Sequence, residues 1–205
     1  IVLFLGVILI IQPLYFLKKR NKTELPFNKI FYFSFIGLGY MFVEIVLTQK
    51  LVLYLGHPSY NLSIALFSIL FFSGVGSFFS RNRLLSGKTV LLYLTAVLLF
   101  VILTMSLVLN MTLGTPFAVR VFITLLFLAP LSFLMGTAFP LGADIATKSE
   151  LPFLWGINGF FSVIASVTAT VISINFGFSA VFYIAAVCYL AAGTIMFLKF
   201  NKDVT

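Results

Sequence analysis

Apolar runs of about 20 residues recur along the whole chain, from "IVLFLGVILIIQPLYFL" at its start to a last run ending near residue 198. Each run is long enough to cross a hydrocarbon core about 30 Å thick as a helix. Inside lipid every backbone amide and carbonyl must find its partner within the protein, which leaves helices or a closed barrel as the spanning structures. A barrel strand alternates apolar and polar residues, and uninterrupted Phe/Leu/Ile runs lack that alternation. Composition agrees: 61% of the 205 residues are hydrophobic and 9% charged, with a mean hydropathy of +1.18. Soluble domains carry roughly 25% charged residues, so a water-soluble fold is excluded. The expected fold is all-α, a polytopic transmembrane bundle forming a single domain over residues 1–205.

Seven spans are expected, at about 1–17, 28–54, 59–79, 89–109, 117–140, 154–175 and 178–198. The first run lacks the basic leader and small-residue cleavage site of a signal peptide, so it reads as a true span. Its abrupt beginning, without an initiator Met, points to a piece of a longer chain.

The net charge of +8 is distributed as a membrane protein distributes it. Five Lys/Arg follow the first span in "KKRNKTELPFNK", three follow the third in "RNRLLSGK", Lys148 follows the fifth, and Lys199 and Lys202 follow the last. The intervening loops around "GHPS", "NMTLGTP" and "FGF" carry none. Basic residues mark the cytoplasmic side, which places the C-terminus in the cytoplasm and the start of the first span outside. Lys50 and Arg120 alone fall outside this scheme, both near the outer face. The charge therefore sets topology, and nucleic acid is not an expected partner. Short connections make the second and third spans antiparallel neighbours, and likewise the sixth and seventh.

The stretch "GYMFVEIVLTQKLVLYLGHPSY" at 39–60 departs from this pattern. Glu44 lies about fourteen residues beyond the inner end of its span, roughly 20 Å up and in the outer half of the bilayer. A charge at that depth costs a few kcal/mol or more, so Glu44 must face protein or water, be paired, or be protonated. Steps of three and four residues align Gly37, Tyr40 or Met41, Glu44 and Thr48. Lys50 lies well round the helix, whereas Arg120 enters the fifth span from the outer side with a long side chain. An approach of Glu44 to Arg120 is expected, with Gln49 or Tyr60 completing the hydrogen bonds. Such a cluster reads as a structural polar clasp, as a substrate or proton site, or as a lipid-headgroup contact. His57, before Pro58, is expected to initiate or cap the third span.

On the inner side, "FPLGADIATKSELPFLWGING" is the second unusual stretch. Pro140 is expected to close the fifth span, with Gly142 and Asp144 in a tight loop, Trp155 at the interface and Asn158 bonding across helices. Gly159, Ser162, Ser166, Ala169 and Ser173 form a small-residue stripe that lets another helix approach, and "SGVGS" at 73–77 has the same character. Pro130 should kink the fifth span. One cysteine, Cys188, and one histidine make no disulfide or Cys/His metal set. Cys188 reads as a packing residue. No catalytic, cofactor or metal residues are expected.

"GLGYMFVEIVLTQKLVLYLGHPSYNLSIALFSILFFSGVGS", "SFLMGTAFPLG" and "WGINGFFSVIASVTATVISINFGFSA", taken in order over roughly residues 30–195, resemble the membrane portion of bacterial spermidine synthase-like proteins. The resemblance implies a multi-pass protein of the bacterial cytoplasmic membrane, joined to or paired with a cytoplasmic domain of the aminopropyltransferase fold. That domain's glycine-rich nucleoside site is absent here: "GLG" and "GVG" sit within or at the end of apolar helices, not in a strand-turn-helix. Its paired carboxylates have no counterpart either. Three functions are expected to compete: a membrane domain that anchors or partners a transferase-like domain, a small carrier or channel using Glu44 and Arg120, and a structural subunit packed on other membrane proteins.

Overall fold

A computed structural model of the protein describes residues 25–80 and 87–199. These are helical nearly throughout: α1 (Phe27–Leu55), α2 (Pro58–Ser80), α3 (Gly87–Thr112), α4 (Phe117–Asp144), α5 (Leu151–Phe176) and α6 (Phe178–Lys199). Each helix is long and apolar enough to cross a bilayer. They coincide with six of the seven expected spans. The run at 1–17, and most of the basic residues on which the orientation was read, lie outside the described residues.

Proline and glycine set the boundaries. Pro26 and Pro116 immediately precede α1 and α4, Pro58 opens α2, and Pro152 lies in the first turn of α5. At those positions the missing proline N–H would have had no helical partner. Gly56 ends α1 with φ +81°, a left-handed conformation that side chains resist, and its amide closes onto the Val52 carbonyl at 3.0 Å. Gly177 ends α5 with the same positive φ of +81° but a ψ of 166°, which turns the chain straight into α6, and its amide bonds the Ser173 carbonyl at 3.0 Å. The α5–α6 connection is that single glycine.

α4 does not stop at Pro140. It runs on to Asp144, with both Pro130 and Pro140 inside it. A proline within a membrane helix frees one carbonyl, and neighbouring helices hold the rest of the helix in place. Gly142 is accordingly a packing residue in the last turn of α4, not a loop residue. A Cβ there would lie 2.5 Å from the Tyr32 ring and 2.9 Å from the Phe33 ring.

α1 is the central helix, packed against α2, α4, α5 and α6. Its Tyr32, Phe33, Val43, Val46, Leu47, Leu51 and Tyr54 form the heart of the core. Large apolar side chains also cover the outside, among them Phe67, Phe78, Phe122, Leu126, Ile174 and Phe197. In water that surface would aggregate; against lipid tails it is the expected finish. Two contacts run parallel. α1 and α5 are bonded at Phe33–Asn158, Gly37–Ser162 and Gln49–Ser173, with both numbers rising together. α2 and α4 meet at Tyr60–Phe117 at one end and at Phe79–Phe133 further along.

Candidate functional site

Glu44 and Arg120 are not brought together. Among the described residues the one ion pair within 4.0 Å is Lys29–Glu150. Arg120 donates instead, at 2.7 Å, to the backbone carbonyl of Tyr54. Tyr54 is ten residues beyond Glu44, about 15 Å along the helix axis. The reason is a competing demand: the last carbonyls of α1 have no amide to accept from, and a guanidinium there meets both the orphan oxygen and the negative end of the helix dipole. Arg120 is thus the C-terminal cap of α1.

The rest of the expected cluster disperses along the same helix. Gln49 faces α5, where its side-chain carbonyl accepts from Ser173 Oγ at 3.0 Å. Lys50 faces α3 and donates to Ser106 Oγ at 2.6 Å. Tyr60 is exposed and lies between the His57 ring at 5.5 Å and the Phe117 ring at 5.6 Å, so it takes no part in a carboxylate clasp. His57 Nδ1 accepts from the Ser59 amide at 3.4 Å, a long contact in the first turn of α2 where a cap was expected.

Glu44 itself is half-buried. Its backbone carbonyl accepts from Thr48 Oγ1 at 2.9 Å, and its carboxyl lies within electrostatic reach of Tyr40 and Tyr189. Tyr40 lies near Ser73 on α2, whose hydroxyl donates to the Leu70 carbonyl, while the buried Tyr189 hydroxyl on α6 has no hydrogen-bond partner. The middle of the bundle therefore collects hydroxyls around one carboxyl, without a basic residue.

At the end where α1 and α3 finish, the Tyr54 hydroxyl pairs with Thr112 Oγ1 at 2.8 Å. A cleft of about 310 Å³ lies beside this pair, lined by Lys50, Leu53, Tyr54, Ser106 and Asn110 among others. Lys50 and Arg120 are the cations here, and the described carboxylates, Glu44, Asp144 and Glu150, are elsewhere.

The opposite end carries a clamp that the sequence reading missed. Lys29 Nζ is 2.8 Å from Glu150 Oε2, and the two side chains are only 12% and 9% exposed. The Thr147 amide donates to the same oxygen at 2.7 Å. Burial pushes the Glu150 carboxyl up, but the hydrogen bonds from Lys29 and Thr147 and the Lys29 charge outweigh it and hold the group below the usual carboxylate range. Opposite charges assigned to the same membrane side were the available signal. Asp144 is exposed at the end of α4, and Trp155, 66% exposed, leans on Phe139 at a ring distance of 6.1 Å. Asn158 bonds across helices as expected, donating to the Phe33 carbonyl at 3.1 Å. Asn61, which sequence reading passed over, is fully buried and donates to the Thr48 carbonyl at 2.6 Å, fastening α2 to α1. No group of three or more His, Cys, Asp or Glu side chains that could hold a metal occurs among the described residues.

These features define a multi-pass helical membrane protein whose polar groups tie its helices to one another. Compared with protein-family models, curated proteins and solved structures, the chain matches none.

Proposed function

We propose that the chain is a rigid membrane domain of the spermidine synthase-like kind, anchoring or partnering a cytoplasmic transferase-like domain. It has seven spans, with residues 1–17 as the first, and a cytoplasmic C-terminus in the bacterial inner membrane. The observation that carries the reading is the use to which the polar residues are put. Lys29, Gln49, Asn158, Ser162 and Ser173 join α1 to α5, Asn61 joins α2 to α1, and Arg120 caps α1. A carrier needs some of these groups free to exchange partners with a substrate, whereas an anchor needs them locked. The sequence resemblance supplies the partner's class.

The test is chemical access. In a Cys188→Ala background, Glu44→Cys is exposed to a membrane-impermeant thiol reagent from each side of sealed vesicles. A locked bundle leaves it unlabelled; rapid labelling from water would replace the anchor with a carrier. A photo-crosslinking residue at Lys148, in the exposed loop before α5, tests the partner. Crosslinks to a transferase-fold polypeptide are expected, and crosslinks confined to other membrane subunits would leave a structural subunit instead.

A further inference from the structure

The cleft between the C-terminal ends of α1 and α3 serves none of the roles above. Its Lys50 ammonium is held at 2.6 Å by a hydroxyl, Ser106 Oγ, and has no carboxylate partner among the described residues. Glu44 is six residues deeper on α1, about 9 Å along the axis, and the other described carboxylates, Asp144 and Glu150, lie at the far end of the bundle. Arg120, bonded to the Tyr54 carbonyl, adds a second positive charge at this end of the bundle. Among the described residues this end of the bundle is thus cationic without compensation.

The walls are of two kinds. Ser106 and Asn110 are exposed polar residues beside Lys50, while Leu53, Leu109 and Leu113 supply an apolar side. Leu53 is 77% exposed, so that side is continuous with the lipid-facing surface. Lys50 lies five residues before the end of α1, about 8 Å below it, and a lysine at that depth extends its ammonium toward the headgroup layer. A cation at headgroup level, donors next to it and a leucine wall leading into the hydrocarbon fit an amphiphile with an anionic head. A small soluble anion would leave the leucine wall unused.

We propose that this cleft binds one anionic glycerophospholipid, with its phosphate on Lys50, its glycerol oxygens near Ser106 and Asn110, and an acyl chain along Leu53 and Leu113. The site is independent of any transferase partner.

Delipidated protein in detergent, titrated with phosphatidylglycerol or phosphatidylcholine and read by native mass spectrometry, tests this. Phosphatidylglycerol is expected to be retained in preference. Lys50→Gln should weaken its retention about fivefold, the effect of one basic residue near a membrane surface. Lys50→Arg should preserve it, and so should Lys148→Gln, which removes a cation from the exposed loop before α5. Asn110→Trp fills the cleft while leaving Lys50 in place, and should also weaken retention; it decides the matter if Lys50→Gln does not fold, as judged by thermal unfolding. Equal retention by wild type and Lys50→Gln would overturn the site. So would an equal loss in Lys148→Gln, which would mean diffuse charge attraction. Displacement of the lipid by millimolar inorganic phosphate that itself binds would make this a free-phosphate site and overturn the lipid assignment.

Discussion

Where α2 crosses α4, no side chain stands between the two backbones. A Cβ on Gly76 would fall on the Phe133 carbonyl, and one on Gly136 would fall on the Ser73 carbonyl. Where α1 lies along α5, the space is bridged at intervals by side chains: Lys29 to Glu150, Asn158 to the Phe33 carbonyl, Ser162 to the Gly37 carbonyl, Ser173 to Gln49. Both pairs run parallel, and both sequences advertise small residues. Lipid gives no hydrophobic reason for helices to associate, so one pair relies on close backbone packing, and the other adds a run of hydrogen bonds to a single close approach at Gly37, where a Cβ would lie 2.6 Å from the Asn158 carbonyl. The difference teaches how each contact fails. A steric contact fails all at once when a side chain is added, and a ladder of bonds fails one rung at a time.

The sharpest break between them is therefore Gly76→Leu. A branched side chain pressed into a backbone cannot be relieved by a rotamer change, and a loss of about 3 kcal/mol or more is expected. The control is Gly74→Leu, two residues away, where an added Cβ meets nothing within 4 Å. Thermal unfolding in detergent should collapse for the first and hardly move for the second. Equal tolerance at the two positions would remove the steric account of this crossing.

The middle of the α1·α5 ladder offers a smaller effect. Asn158→Leu deletes the bond to the Phe33 carbonyl, and about 1 kcal/mol is expected for one interhelical hydrogen bond in a membrane protein. Ser173→Ala removes another rung well over 10 Å further along α5, and the two losses should add because the sites share no partner. A double variant that unfolds far more easily than the sum would show that the ladder too is all-or-none, and the contrast with α2·α4 would vanish.

What was legible in the sequence follows the same division. Apolar length and the Pro/Gly punctuation carried the six described helices, because lipid leaves an apolar run of that size only one backbone solution. Pro140 misled for the same reason: in water it would end a helix, whereas packing on Tyr32 and Phe33 lets α4 continue to Asp144. The need of Asn158 for a partner across helices was readable. The neighbours joined by short loops, α1 with α2 and α5 with α6, were readable and are found in contact; the expected Glu44–Arg120 pair failed although α1 and α4 do pack together. Arg120 is placed by the end of α1, a backbone demand that no side-chain pattern displays. The stripe on α5 was partly right: Ser162 and Ser173 face α1, but a Cβ on Gly159 would meet nothing within 4 Å.

The smallest expected effect sharpens the comparison most, since it touches one end of the ladder and leaves the rest of the molecule alone. Glu150 is held below its ordinary value of 4.5 in the folded protein. A group depressed in this way contributes stability that is fully present above the unfolded value and is lost as pH falls through the folded one. Acidification below about pH 4.5 should therefore loosen the Lys29–Glu150 clamp, at a cost of about 0.5 kcal/mol for a pair at the edge of the bundle. Glu150→Gln should remove that part of the pH dependence, and Lys29→Gln should shrink it, because the Thr147 amide still binds the carboxylate. Amide hydrogen exchange gives the location. On acidification, after correction for intrinsic exchange, protection should fall in the first turn of α5 and at residues 147–150, while the residues around Gly76 and Gly136 keep theirs. Parallel loss at the glycine crossing would mean that the two contacts open as one unit, and that the clamp secures the bundle as a whole instead of one rung of α1·α5.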